Sequence, residues 1–476
     1  MYTAGRMPTH VISDLHIGAG PLDDCDAGCE ATLVAFIDGV GQTARTAGAG
    51  PVELVLNGDS FDFVQAEPWR GPDLEAKALG GAPLCFTRAT SLAKAAAIAD
   101  AHPAVFDALG RLVQRESARL TIMPGNHDAD LYWKDVRELF GRRICGTSAP
   151  AQARLTWYMD RVYRPKTAPH VWIEHGHQYD PLNSFFSATA DAPSVEFWGT
   201  ARPPILIDKS GKERLLECVG TRFLIRFLNE LDFRYPFVDN IKPFSKFLSI
   251  FASSARRFTG GTARAALSAF ALARFAAVET FAAPSNLLSI SAANEKTGAG
   301  LIALDEATGG AFSAALRKAG CDFAGRSFEN LAADPDGAVT LLDFALDHLD
   351  ALDAVEVDPE SMLGLGDDDG DDDGTLSLAK GMRIDETRVL RDAAGEVLKD
   401  PAVRFVIMGH THESVDDPAY KNTGSWTRYW QMERGESPSW KEMVRKADTL
   451  PMSPRHAVVP DDPAGGMTLE MFEPRA

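Results

Sequence analysis

Long apolar runs are missing from this sequence. No stretch reaches the roughly 18 uncharged apolar residues that a membrane-spanning helix needs. The N-terminal MYTAGRMPTHVISDLH has no apolar signal-peptide core either. The expected location is the cytoplasm, free or peripheral on the inner face of a membrane. Basic charge is also short: 48 Lys and Arg stand against 67 Asp and Glu, a net charge of -19. That balance argues against general nucleic-acid binding, which usually shows a basic face. Cysteine is sparse, and Cys25, Cys29, Cys85, Cys145, Cys218 and Cys321 follow no disulfide-framework spacing. Cys25 and Cys29 lack the second thiol pair of a zinc site, so six reduced thiols are expected.

What is present reads as an α/β protein. At 476 residues the chain predicts two domains, or one with a large insertion. Short β-rich runs followed by polar, Gly-containing turns occur at 10–13, 53–56, 120–123, 171–174 and 404–408. Helical patterns lie between the early ones, at 32–44, 91–98 and 104–116, and this alternation indicates an α/β architecture. From about 187 to 400 helical periodicity takes over, with Leu216, Val219, Phe223 and Phe227 as one apolar stripe and an Ala-rich helix at 263–281. The expected organisation is an α/β core in two parts, 1–186 and 401–476, around a mainly helical insertion at 187–400. The acidic loop 358–374 falls inside the insertion. Asp369, Asp371, Asp373 and Gly374 match the opening of a calcium-binding loop, but its twelfth position is Lys380, so a solvated linker is favoured.

Five segments that each follow a β-rich run carry the chemistry. In Asp14-Leu15-His16, alternate side chains share a face and can converge on one metal. In Asn57-Gly58-Asp59-Ser60-Phe61-Asp62, the glycine permits a sharp turn and the Asp59 carboxylate has two oxygens to share between two cations. Asp62 is expected to hold a ligand or the turn. In Gly125-Asn126-His127-Asp128, Asn126 offers a neutral carbonyl oxygen, and His127 is expected to act on substrate, oriented by Asp128. In Glu174-His175-Gly176-His177, His175 is the preferred metal ligand, with His177 supporting a ligand or facing substrate. In Gly409-His410-Thr411-His412, each imidazole can serve a different metal. Any one segment is weak. Together they supply the mixed imidazole, carboxylate and carbonyl set suited to Mn, Fe or Zn.

The series Asp14-x-His16, Gly58-Asp59-x-x-Asp62, Gly125-Asn126-His127-Asp128, His175-Gly176 and Gly409-His410-x-His412 resembles the calcineurin-like metallophosphoesterase family. The resemblance covers roughly residues 8–185 and 400–476. It implies a four-layer α/β/β/α sandwich and a dinuclear site holding two divalent ions, Mn for preference. By motif position, Asp14, His16 and His412 would hold the first metal. Asn126, His175 and His410 would hold the second, Asp59 would bridge them, and His127 would protonate the leaving oxygen or stabilise the transition state. Two such cations lower the pKa of a bridging water and bind phosphoryl oxygens, allowing in-line attack without a covalent intermediate.

The Arg-Gly that follows the second motif in protein phosphatases of this superfamily is absent, because Asp62 is followed by Phe63 and Val64. Ser13-Asp14-Leu15-His16-Ile17-Gly18, the His410 motif and Asn422-Thr423-Gly424-Ser425-Trp426 are similar to the UDP-2,3-diacylglucosamine hydrolase branch. That branch commonly has Arg where this chain has His127, and its helical cap is smaller. Residues 202–274 hold 13 Lys and Arg against 6 Asp and Glu, with Phe223, Phe227, Phe233, Phe237, Phe244, Phe247 and Phe251 among them. A basic, apolar helical surface suits an anionic membrane or lipid. It also suits a plain helical cap with core aromatics and solvent-facing cations, which is the favoured reading. The expected activity is hydrolysis of a phosphoester or pyrophosphate in a lipid-linked or nucleotide-containing small molecule. A nuclease or cyclic-nucleotide phosphodiesterase is the alternative enzyme, and a non-catalytic scaffold the alternative class.

Overall fold

The structure is a computed structural model. It describes residues 8–43, 51–68, 84–180, 182–189, 192–208, 210–218, 220–221, 224–234, 238, 240–242, 298–306, 308–352, 355, 386–432, 436, 438, 440–446, 449–459 and 465–474. Four strands pair in parallel in chain order: Thr9–Ile12 (β1), Val52–Asn57 (β2), Ala118–Met123 (β3) and Leu155–Trp157 (β4). A second sheet holds Val171–Ile173 (β5), Phe405–Met408 (β6), Ser414–Asp416 (β7) and Tyr420–Thr423 (β8), in the order β7-β8-β6-β5. There β5, β6 and β8 are parallel and β7 is antiparallel at the edge. Arg455–Val459 (β9) and Thr468–Met471 (β10) add antiparallel to the first sheet, giving β10-β9-β1-β2-β3-β4. The chain is thus mixed α/β.

Strand alternation divides the apolar residues between two cores. Val11, Val55 and Met123 of the first sheet join Ile173 and Ile407 of the second in one buried cluster. Ile12, Leu54, Leu56, Leu120 and Ile122 join a different cluster, built with Ala27–Thr43 (α1), Arg88–Ala101 (α2), Pro103–Val113 (α3) and Lys134–Cys145 (α4). In α3, Pro103 sits in the first turn, where its missing N–H costs nothing, and Val105, Phe106, Leu109, Leu112 and Val113 form the buried stripe. Across the second sheet, Leu390 and Ala394 of Glu386–Val397 (α5) pack with Val406 and Met408. All six β2 residues are buried, Glu53 included. The Glu53 carboxylate accepts hydrogen bonds from Thr121 Oγ1 at 2.8 Å and the Tyr163 hydroxyl at 2.6 Å, which is how it tolerates the interior.

The early helices overlap the spans periodicity predicts, with ends up to five residues away, and the strands agree to within two residues. The region after 187 does not read as mainly helical at its start. Phe186–Thr189 pairs with Ala192–Glu196, and Leu84–Thr87, Glu213–Leu216 and Ile205–Ile207 form a three-stranded antiparallel sheet. Leu216 therefore ends a strand instead of starting a helical stripe, because a short apolar run fits either period until its partner is known. Val219 and Phe223 lie outside the described residues, as do Phe237, Phe244, Phe247, Phe251, residues 263–281 and the acidic loop 358–374.

The chain divides into two compact units. One comprises Met1–Asn240, Glu386–Gln431 and Thr449–Ala476, and the other Ile241–Asp385 and Met432–Asp448. The division falls at Asn240 and Glu386, where the sequence reading placed it at 187 and 400. The shift follows from packing: Cys85 and Phe86 share a core with Leu215 and Leu216, and α5 covers β6. In the second unit, Leu301, Leu304, Phe312, Leu316, Phe328, Leu341 and Leu342 make a separate helical core. No helix among the described residues is long and apolar enough to cross a membrane. All six cysteines are free thiols.

One half-buried ion cluster pins the loop that follows β1. His102, at the junction of α2 and α3, meets Glu30 Oε2 through Nδ1 at 2.5 Å and Asp23 Oδ2 through Nε2 at 2.6 Å. Asp23 Oδ1 in turn accepts the backbone N–H of Gly18 and Cys25. Burial disfavours the imidazolium, but the two carboxylates outweigh it and raise the His102 pKa. A raised folded-state pKa contributes stability that is fully present below the unfolded value and is lost as pH rises through the folded one. His102→Gln should therefore destabilise the fold by about 2 kcal/mol at pH 6. Thermal unfolding of both forms should show the gap narrowing at pH 9; a gap that widens would contradict this assignment.

Candidate metal centre

The C-terminal ends of five strands deliver the candidate ligands to one place. Asp14 follows β1, Asp59 follows β2, Asn126 follows β3, His175 follows β5 and His410 follows β6. Backbone bonds stitch these ends together. Leu15 and His16 donate their N–H to Asp59 O at 2.9 and 3.0 Å, and Gly409 N donates to His175 O at 3.0 Å. The His410 N–H lies 3.0 Å from both Asp14 carboxylate oxygens, although 396 residues separate the two. Trp426 N and Ser425 Oγ both donate to Asp14 O, so the loop after β8 closes over the end of β1.

The backbone here is strained. Asp14, His16, Asp59, His410 and His412 all have positive φ, between 43° and 75°. Among the described residues only one other non-glycine, Ala324, does so. Each such residue costs about 1–3 kcal/mol, a cost retained mainly where the geometry serves a site. Glycines make the close approach feasible. A Cβ on Gly58 would meet the His175 ring at 2.5 Å, and one on Gly125 would strike the Asp59 carboxylate. One on Gly409 would strike the Ser13 hydroxyl and the Asp14 carboxylate.

Hydrogen bonds fix which nitrogen each imidazole turns inward. His16 Nδ1 donates to Asp62 Oδ2 at 2.9 Å, leaving Nε2 with a lone pair that faces His412 Nε2 at 3.0 Å. His175 Nδ1 donates to the Asn57 carbonyl at 2.9 Å, so its Nε2 lone pair faces Asp59 Oδ2 at 3.1 Å. His410 Nε2 donates to Asp180 Oδ2 at 3.0 Å, and its Nδ1 is buried with no hydrogen-bond partner. Asn126 Oδ1 is likewise buried and unpartnered. Asp14, His16 and His412 bring one donor atom each within 4.8 Å of one another, as do Asp59, His175 and His410. These are buried groups that could hold a metal ion, and Asn126 Oδ1, His175 Nε2 and His410 Nδ1 have no protein donor to meet them.

Electrostatics are consistent with that demand for positive charge. Burial opposes ionisation of Asp59, yet His175 and then His127 hold its carboxyl well below the usual carboxylate range. Burial also opposes charge on His175, but Asp59 outweighs it and pushes the imidazole up to about 9, so without a cation Nε2 takes up a proton facing Asp59. His177 is different. Burial, reinforced by His175 and His410, drives its pKa well down. Both His177 nitrogens are without hydrogen-bond partners, and the ring packs edge-on against Trp198 at 4.3 Å between centroids.

His127 is held by Asp62, not by Asp128. Its Nδ1 meets Asp62 Oδ2 at 2.9 Å, so one carboxylate orients both His127 and His16. The Asp128 carboxylate accepts the backbone N–H of Asp59, Ser60, Phe61 and Gly125, and burial followed by the Asp59 charge pushes it up to about 7. Its role is to shape the Asp59 turn. Sequence proximity suggested the wrong partner, because Asp128 turns back toward its own loop and the β2 turn. Side-chain exposure is 13% for His127 against 3% for Asp62, which leaves His127 able to meet a substrate.

Asp180 was not foreseen. The one available signal was its place three residues after His177, and a lone Asp in a turn carries little weight by itself. Asn422 was read only as part of a motif; its Nδ2 donates to Gly409 O at 2.7 Å and to Thr411 Oγ1 at 3.1 Å, holding the His410 loop. No family model matches this chain, and no curated protein or solved structure matches it either.

Proposed function

We propose that this chain is a metal-dependent phosphoesterase of the calcineurin-like metallophosphoesterase type, built on a four-layer α/β/β/α sandwich. The sheet-on-sheet core, with α1 to α4 on one outer face and α5 on the other, supports the layered reading. The observation that carries the functional reading is the convergence of buried carboxylate, amide and imidazole groups from five strand ends, with Asn126 Oδ1, His175 Nε2 and His410 Nδ1 lacking hydrogen-bond partners. Asp14, His16 and His412 would hold one divalent ion, and Asn126, His175 and His410 a second, with Asp59 shared. When bound, the ions supply Lewis acidity toward phosphoryl oxygens and an acidified water. The chain's own residues then orient and protonate. Asp62 directs the Nδ1–H of His127 inward, so Nε2 faces outward to give a proton to the leaving oxygen.

For substrate we propose a phosphoester or pyrophosphate in a lipid-linked or nucleotide-containing small molecule, on the motif resemblance around Asp14 and Asn422. A hydrolysis panel with Mn tests it, spanning monoesters, diesters, nucleotide pyrophosphates and lipid-linked pyrophosphates. Turnover of diesters or pyrophosphates well above monoesters is the expected result. Preference for simple monoesters would remove the substrate class, cleavage of single-stranded DNA would favour a nuclease, and no turnover of any would favour a scaffold.

A further inference from the structure

Asp180 follows the 3-10 turn His177–Tyr179 and is 1% exposed. Its carboxylate is an acceptor only, and it receives three donors. Leu182 N meets Oδ1 at 2.9 Å, while His410 Nε2 and Asn183 Nδ2 meet Oδ2 at 3.0 and 2.6 Å. A carboxylate fixes the direction of everything that donates to it. The His410 proton must sit on Nε2, so Nδ1 carries the lone pair. The Asn183 amide must turn its NH2 toward Asp180, so its oxygen faces away. That oxygen lies 3.5 Å from Asn126 Nδ2, which leaves Asn126 Oδ1 as the buried, unpartnered atom. Gly220 closes the arrangement from outside, because a Cβ there would strike the Asn183 oxygen.

We infer that Asp180 is a positioning residue: through His410 directly and through Asn183 to Asn126, one carboxylate sets the donor atoms of two ligands that lie 284 positions apart in the sequence. The inference rests on the metallophosphoesterase reading and adds to it a selectivity that the motif series does not contain. Both ligands belong to the second metal and neither to the first. Loss of Asp180 should therefore weaken one site and spare the other.

The test is Mn binding to the full chain, followed by titration calorimetry and by metal analysis after dialysis at graded free Mn. The wild type should take up two ions. Asp180→Asn keeps the shape but removes the charge and places an NH2 either against the Leu182 N–H or against both the His410 ring and the Asn183 amide, and should weaken one of the two sites about 10–100-fold with the other unchanged. Asn183→Ala, at a half-buried position, should weaken the same site by up to about tenfold. If Asp180→Asn does not fold, Asn183→Ala decides alone. Two ions bound at wild-type affinity by the folded variants, or equal weakening of both sites, would overturn the inference while leaving the metal reading intact. A wild-type chain that takes up no Mn would remove the metal reading and this inference with it.

Discussion

Asp59→Asn should leave a folded protein that binds almost no Mn and turns over phosphodiesters roughly a thousandfold or more slower, the loss of several kcal/mol of metal-supplied stabilisation. The reason lies in what Asp59 touches. Its Oδ1 accepts the His127 N–H at 2.8 Å, and its Oδ2 faces the His175 Nε2 lone pair at 3.1 Å. Asparagine keeps the first contact with its oxygen and offers an N–H to the second. The buried lone pair of His175 is then satisfied without a cation, and the anionic charge shared by the two ligand groups is gone. Thermal stability without metal should hold or rise, and the rise that Mn gives the wild type should disappear. Wild-type activity in Asp59→Asn or Asp59→Ala would end the two-metal assignment.

His127→Gln should behave in the opposite way, with two Mn retained and turnover reduced by about 10²–10⁴-fold for an alkyl leaving group. His127 donates no lone pair to either ligand group; its Nδ1 is tied to Asp62, which leaves Nε2 free to give a proton. Burial disfavours the imidazolium, but Asp62, and after it Asp59, push the His127 pKa up to about 9 in the metal-free protein. A p-nitrophenolate leaving group needs little protonation, so the same substitution should cost it far less. Comparing kcat for ethyl and p-nitrophenyl diesters checks this directly. Equal losses on both would make His127 an electrostatic group instead of an acid, and no loss on either would place it outside the chemistry.

Much of this was legible before any fold was known, for a reason visible in the residues. Parallel strands β1, β2, β3, β5 and β6 are short, apolar and buried, so they stand out as runs, and each is followed within three residues by a polar side chain that no core would choose. The turn glycines Gly58, Gly125 and Gly409 were equally visible, although the reason for the last two is a clash that only the assembled site reveals. The segment after 187 misled, because Leu216 fits a helical stripe as well as a strand until Leu84–Thr87 is set beside it.

Local order along the chain thus determined the strands, the turns and the inventory of candidate ligands. Tertiary structure alone decided how those groups are oriented. Asp62 rather than Asp128 holds His127, and Asp180 turns both His410 and, through Asn183, Asn126. The physical reason is that an imidazole or an amide has two inequivalent faces, and the partner that selects between them comes from elsewhere in the chain. A sequence names the donor groups. Only the fold brings up the acceptor that decides which atom is left to bind.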